Sequence, residues 1–194
     1  MSKWLSVLVM FSEKQIIEGC LKGDAISQKA LYNRFAGKMM AISKRYLKTI
    51  EYAEDAYQDA FVKVFANLKT FSFQSSLETW ITRIFINEAI NKLRTLKKLS
   101  LNISIDDYAL NMPETKSELP DNFDYELVML IMEKLPENYR VVLMLYAIDG
   151  FSHKEISEKL NIPESTSRSS LTRARTLLNQ HYKQVIIQHE SRRI

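Results

Sequence analysis

The sequence is poor in the residues that cross-link or interrupt a chain. Its 194 residues include one cysteine, four glycines and four prolines. A lone Cys20 excludes an intramolecular disulfide and a zinc site built from several cysteines, and it fits a reducing compartment, which we expect to be the cytoplasm. Because turn signals are scarce and the apolar residues recur at helical spacing, the sequence predicts an all-α protein.

Signatures of catalysis and of membrane insertion are also missing. The sequence has no phosphate-binding glycine loop, and its three histidines lack metal-ligand spacing to carboxylates or to Cys20. We therefore expect no enzyme, no cofactor and no metal site. The apolar run from Trp4 to Phe11 is too short to span a bilayer. Ser12 and Gln15 can form a helix-starting capping box directly after Met10, so we hypothesise that Met10 rather than Met1 is the true start.

Charge divides the chain into three parts. Residues 1–97 carry fifteen basic and nine acidic side chains, whereas residues 98–124 carry two basic and six acidic ones and two of the four prolines. Helical periodicity fails in that middle segment, apart from a short turn predicted near residues 106–110. The pattern predicts two small helical domains, 1–97 and 125–194, joined by a flexible acidic linker, 98–124.

The stretch from Gly150 to Leu178 predicts a helix-turn-helix. Ser152 and Glu155 form a capping box, and Pro163 ends the first helix. On the second helix residues 167, 171, 174 and 178 share one stripe, whereas residues 168, 172, 173 and 175 point elsewhere. Six of the residues from 165 to 194 are basic and one is acidic, as a phosphate-binding surface requires. With two further helices, from about 125 to 134 and from Pro136 to Gly150, a four-helix domain results.

The first domain is predicted to hold four helices, at about 12–21, 24–47, 51–68 and 77–97. Ser75 and Glu78 are expected to cap the fourth helix, which follows a polar and aromatic connector, residues 71–76. One side of this helix carries arginine and asparagine, the side chains that make bidentate contacts with guanine and adenine. That side comprises Arg83, Asn87, Asn91, Arg94 and Lys97. An ordinary solvated face is the alternative interpretation.

Two blocks of sequence carry a resemblance to a known family. The first is AEDAYQDAFVKVFANLKTF (53–71) followed by LETWITRIFINEAINKLR (77–94), and the second is LPENYRVVLMLYAIDGFSHKEISEKLNIPESTSRSSLTRARTLL (135–178). In this order and spacing the chain resembles an extracytoplasmic-function (ECF) RNA polymerase sigma factor. The blocks are similar to that family's regions two and four, and the absence of a domain between them is typical of this minimal class.

The resemblance implies a role in transcription initiation, with core RNA polymerase, through its clamp and flap surfaces, and promoter DNA as partners. It assigns polymerase docking to Glu54, Asp55, Gln58 and Asp59. It assigns recognition and melting of the minus-ten element to Phe71, Ser72, Phe73, Gln74, Ser75, Ser76, Trp80, Arg83, Asn87, Asn91 and Arg94. It assigns reading of the minus-thirty-five element to Thr166, Arg168, Ser169, Thr172, Arg173 and Arg175. The resemblance leaves open whether an anti-sigma factor holds the protein.

Three residues depart from the family pattern. Asn91 stands where aspartate is usual, Ser167 where an apolar residue is usual, and Ser170 where a basic residue is frequent. Two other classes of protein remain as alternatives: a stand-alone helix-turn-helix regulator that binds duplex DNA, and a helical interaction protein without DNA contact.

Overall fold

The computed structural model describes residues 12–100 and 125–191. The proposed start at Met10, most of the acidic linker and the turn predicted near residues 106–110 lie outside these residues. The chain divides into two compact units, Met1–Ile103 and Ser104–Ile194, and the division falls inside the predicted linker. Every regular element of the described residues is helical, which confirms the all-α prediction. Within these residues no helix combines the length and the apolarity that a membrane span requires.

The first unit contains four α-helices. They are α1 (Glu13–Leu21), α2 (Ala25–Tyr46), α3 (Ile50–Asn67) and α4 (Leu77–Ser100), with a 3-10 turn at Leu68–Thr70 after α3. The capping box predicted for α1 is present, because the Ser12 hydroxyl accepts from the Gln15 amide and the Gln15 side chain accepts from the Ser12 amide. The Asp24 carboxylate accepts two amide hydrogens at the start of α2. Local side-chain chemistry therefore sets both helix starts.

The core of the first unit lies between α2, α3 and α4. On α2 the apolar residues 31, 35, 39 and 42 recur at helical spacing, and all four are buried. Phe61 and Phe85 meet at 5.0 Å between ring centroids in an edge-to-face contact, and Tyr57 contacts both rings. On α4 the apolar residues Trp80 and Ile84 are only half-buried, whereas Ile81 and Phe85 are fully buried. The stripe that faces the core is therefore centred on Ile81 and Phe85.

The predicted cap of α4 is wrong by one residue. The Ser76 hydroxyl, not that of Ser75, accepts from the Thr79 amide at 3.1 Å. The Ser75 hydroxyl donates to the Ser76 carbonyl oxygen at 3.3 Å. Because the cap lies one position later, Glu78 is one residue too early for a capping box, and its carboxylate pairs with Lys38 of α2.

The second unit contains α5 (Tyr125–Met132), α6 (Glu137–Leu143), α7 (His153–Leu160) and α8 (Glu164–Ser191). A π-helical turn, Met144–Ile148, continues α6, and Gly150 follows with a φ of +73°. The predicted capping box of Ser152 and Glu155 is present at the start of α7. The left-handed Asn161, with a φ of 54°, ends α7. The helix-turn-helix prediction is therefore confirmed in its geometry.

Candidate nucleic-acid interface

One side of α3 is acidic and faces solvent. Glu54, Asp55, Gln58 and Asp59 are all exposed, and we call these four residues the acidic strip. Alanine and aromatic residues at positions 53, 56, 57, 60 and 61 bury the opposite side. The Asp55 carboxylate lies 3.0 Å from the Lys92 Nζ of α4, so one member of the strip already has a cationic partner. Val62, 68% exposed, lies one turn beyond Asp59.

The connector between α3 and α4 places one aromatic ring inside the unit and one outside. Phe71 is buried and its ring centroid lies 5.6 Å from that of Trp80. Phe73 is 60% exposed, and its ring lies 4.7 Å from that of Phe71. Its φ of 60° is a left-handed conformation that bulky residues rarely adopt. The connector therefore presents the Phe73 ring to solvent. That ring packs on Phe71, which in turn packs on Trp80.

The polar side of α4 forms one continuous stripe. Arg83, Asn87, Asn91 and Arg94 recur at intervals of four, four and three residues, which places them on one face. Arg83, Asn91 and Arg94 are exposed and Asn87 is half-buried. The Asn91 side-chain amide donates to the Glu88 carboxylate at 3.4 Å. The stripe begins at the half-buried Trp80, and the side chain of Lys97 lies outside the described residues.

The first turns of α8 show the same division into a buried and an exposed side. The predicted stripe of residues 167, 171, 174 and 178 is buried. Thr166, Arg168, Ser169, Thr172 and Arg173 are exposed, and Arg175 is half-buried. Ser170 is only 6% exposed, so it belongs to the packed side and not to a phosphate-binding surface. The five exposed residues form a polar surface that a DNA groove can accept.

Each arginine of this surface has a partner within the second unit. The Arg168 Nη2 lies 3.0 Å from the Glu164 Oε2, one turn earlier on α8. The Arg173 Nη1 donates to the Tyr139 hydroxyl at 3.3 Å. The Arg175 guanidinium lies over the Tyr146 ring, 5.8 Å from its centroid. The three guanidinium groups are thus oriented before any DNA is bound.

His153, in the first turn of α7, is half-buried and has two partners within the second unit. Its ring stacks on Tyr146 with 4.6 Å between centroids, and its Nδ1 lies 2.9 Å from the Ser167 hydroxyl oxygen. Burial, and then the positive charge of Arg168, hold the pKa of His153 below its ordinary value. Ser167 itself is fully buried. A polar serine within an apolar stripe was the one sequence signal that a buried hydrogen bond existed here.

Comparison with known proteins identifies the family of the chain. The family model "Sigma-70 region 2" matches residues 31–99, and the model "Sigma-70, region 4" matches residues 125–178. The ECF RNA polymerase sigma-E factor of Escherichia coli K12 is 27% identical over 185 residues, covering 90% of this chain and 96% of that protein. The ECF RNA polymerase sigma factor SigW of Bacillus subtilis is 29% identical over 188 residues, covering 88% and 96%. The chain belongs to the ECF sigma factors.

A solved structure shows the same fold. The sigma factor RpoE of Bartonella quintana, in complex with the anti-sigma factor NepR, is 23% identical and aligns with a TM-score of 0.50 over 80% of this chain and 96% of that one. As an ECF sigma factor, the chain directs RNA polymerase to specific promoters at the start of transcription. Its partners are core RNA polymerase and promoter DNA. The alternative of a stand-alone regulator is not favoured.

Proposed function

We propose that this ECF sigma factor uses three separate surfaces, one for RNA polymerase and two for DNA. The acidic strip of α3 docks on core polymerase, the connector and the polar stripe of α4 take the minus-ten element, and the first turns of α8 read the minus-thirty-five element. The observation that carries this proposal is common to all three helices. In each, an apolar side is buried in its own unit, while the residues that resemble family contacts are exposed or half-buried on another side.

The acidic strip suits a basic groove on a large enzyme. Complementary charges accelerate encounter and fix orientation, although exposed pairs add little affinity one by one. Val62 adds an apolar contact at one end of the strip, where its side chain is 68% exposed. The strip with Val62 therefore combines orientation by charge with burial of apolar area, as protein interfaces do.

The connector and α4 suit an opened strand. Phe73 offers an exposed ring on which an extruded base can stack, and such a stack contributes about 1–3 kcal/mol. The Phe71 ring packs against that ring, and Trp80 packs against Phe71. The polar residues Ser72, Gln74, Ser75 and Ser76 of the connector are exposed around it. Along α4, Arg83, Asn87, Asn91 and Arg94 supply hydrogen-bond donors for the adjoining bases and phosphates.

The α8 surface suits a major groove. Thr166, Ser169 and Thr172 offer hydroxyl groups, and Arg168, Arg173 and Arg175 offer cationic donors within the first three to four turns of the helix. In a helix-turn-helix the N-terminal residues of the second helix contact base edges. We assign Arg168, Ser169 and Thr172, which are exposed within the first turns of the helix, to the bases, and Arg173 to a phosphate.

Charge reversal tests the docking surface. Asp59→Lys and Glu54→Lys are each expected to weaken association with core polymerase and promoter-dependent run-off transcription, and the double variant to abolish both, because a reversed charge repels a basic groove. Both carboxylates are exposed, so the reversals leave the core intact. Glu18→Lys on α1 is the matched control, since Glu18 is also an exposed helical carboxylate outside the strip, and its pair with Lys14 at 4.0 Å lies within α1. Asp55 is a poorer test because its substitution also breaks the pair with Lys92. Co-purification of the Asp59→Lys variant with core polymerase at the wild-type level would rule out this surface.

The proposal also covers catalytic activity, place of action and a regulatory partner. Sigma factors are initiation factors without catalytic activity, and we propose the same of this chain. Its place of action is then the cytoplasm, where RNA polymerase works. Because the Bartonella quintana sigma factor of the same fold is held by an anti-sigma factor, an anti-sigma factor is the class of regulatory partner we propose for this chain as well.

A further inference from the structure

Four side chains tie α8 to the rest of the second unit in a continuous series. The Arg175 guanidinium lies over the Tyr146 ring, the Tyr146 ring stacks on His153, and His153 Nδ1 lies 2.9 Å from the Ser167 hydroxyl oxygen. Ser167 and Arg175 belong to α8, His153 to α7, and Tyr146 to the π-helical turn after α6. The series therefore connects two residues of α8 to each other through one residue of α7 and one residue of the π-helical turn.

The two attachment points bracket the turns proposed to read DNA. Ser167 and Arg175 are eight residues apart, about 12 Å along the helix axis. Arg168, Ser169 and Thr172 lie between them. A rotation of α8 by about 20° would move a side-chain tip about 6 Å from the axis by about 2 Å, which is enough to break a hydrogen bond to a base. The orientation of α8 about its axis thus decides which base edges its residues reach.

The bond to His153 is costly to break without rearrangement. Ser167 is 0% exposed, so its hydroxyl has no access to water, and a buried hydroxyl without a partner is destabilising. The stack on Tyr146 holds the imidazole ring in the plane that faces Ser167. The observed orientation of α8 satisfies the hydroxyl and keeps Arg175 over the Tyr146 ring at the same time.

We propose that His153 and Tyr146 are positioning residues that fix the orientation of α8 and so determine promoter selectivity at the minus-thirty-five element. This inference rests on the proposed reading of that element by α8. Neither residue needs to contact a base. Loss of the series flattens the preference among minus-thirty-five sequences, while binding of core polymerase and the minus-ten preference stay as they are.

The test is run-off transcription by reconstituted holoenzyme on promoters with a fixed minus-ten element and a randomised minus-thirty-five element. His153→Phe keeps an aromatic ring but loses the hydrogen bond, and Ser167→Ala loses the same bond from the other side. For each variant we measure the ratio of transcription from the best to that from the poorest minus-thirty-five sequence. Each variant is expected to lower this ratio about two- to tenfold, which corresponds to the net free energy of one hydrogen bond. The double variant is expected to lose no more than either single variant, because both changes remove one bond.

Matched variants separate positioning from folding. Tyr146→Phe keeps the ring and is expected to retain wild-type selectivity, whereas Tyr146→Leu is expected to lose it. His181→Phe, a substitution of the same kind further along α8, is expected to change nothing. Thermal unfolding by circular dichroism identifies variants that do not fold. If His153→Phe does not fold, Ser167→Ala still tests the hydrogen bond, because it removes only one oxygen atom.

One result would contradict the positioning role, and another would contradict the proposed reading of DNA by α8. If folded His153→Phe and Ser167→Ala retain the wild-type ratio, the positioning role is wrong. Thr172→Ala serves as the reference, because its hydroxyl belongs to the proposed reading surface itself. If Thr172→Ala and Arg168→Ala also leave the minus-thirty-five preference unchanged, the proposed reading by α8 fails, and with it the basis of the inference.

Discussion

Replacement of Arg173 by alanine is expected to lower the salt dependence of promoter binding by one phosphate contact. Arg173 is exposed, and its Nη1 donates to the Tyr139 hydroxyl at 3.3 Å. Tyr139 is buried at 7% exposure, so this bond holds the guanidinium at the edge of the unit with its charge still at the surface. A cation held in this way suits a phosphate, which needs charge at a fixed place but carries no sequence information.

The magnitude follows from counterion release. Each phosphate neutralised contributes about 0.9 to the slope of log K against log salt concentration. Between about 50 and 200 mM salt the wild-type holoenzyme should therefore lose about 3.5-fold more affinity than the Arg173→Ala holoenzyme. The measurement is promoter binding by holoenzyme over a series of salt concentrations, with a fluorescent promoter fragment.

Tyr139→Phe is the matched control. It removes the hydrogen bond at 3.3 Å, which is long for this type of bond, but keeps the charge of Arg173. Its salt slope should equal that of the wild type, with an affinity change of about twofold. An Arg173→Ala slope identical to that of the wild type would refute the phosphate contact. If the loss were instead confined to particular base pairs, Arg173 would read a base.

Three further predictions concern stability and pH. Phe85→Ala should destabilise the first unit by about 3–5 kcal/mol, because Phe85 is fully buried against two aromatic rings of α3; thermal or denaturant unfolding measures the loss. Ser152→Ala should cost about 1 kcal/mol in the second unit, because it removes the cap of α7; the first unit should unfold unchanged. Acidification below about pH 6.5 should weaken the second unit, because burial and Arg168 lower the pKa of folded His153, so that the unfolded state takes up the proton more readily. Wild-type acid sensitivity retained in His153→Phe would contradict that assignment.

The features that the sequence predicts well are those decided within one or two helical turns. The capping boxes at Ser12 and Ser152 pair residues three positions apart, so both could be derived from local chemistry alone. The buried stripe of α2 follows from a regular spacing of apolar residues. The stripe of α8 was equally regular, with Ser167 included, and its burial is confirmed.

The features that the sequence does not predict depend on how the helices cross. Two adjacent serines can each cap α4; Ser76 does so, and Glu78 pairs with Lys38 of α2, a contact between helices that the local sequence does not predict. The core position of Phe85 depends on the rotation of α4 against α3. The bond between His153 and Ser167 joins residues fourteen apart on two helices; the serine within the α8 stripe signals a buried hydrogen bond, but no pattern within either helix identifies His153 as its partner. Such contacts are properties of packing and not of periodicity.

The three arginines on α8 already have partners within the second unit, and these contacts lower the affinity that α8 alone can have for DNA. Each contact with DNA must replace or share an existing interaction, with Glu164 for Arg168, with Tyr139 for Arg173 and with an aromatic ring for Arg175. The interactions given up are individually weak, about 0–1 kcal/mol for an exposed ion pair, and each is subtracted from a proposed DNA contact of about 1–3 kcal/mol. We therefore expect the net affinity of α8 alone for a minus-thirty-five element to be modest. Once polymerase holds both units on one promoter, binding at one element raises the effective concentration of the other unit at its own element, and selectivity becomes a property of the holoenzyme.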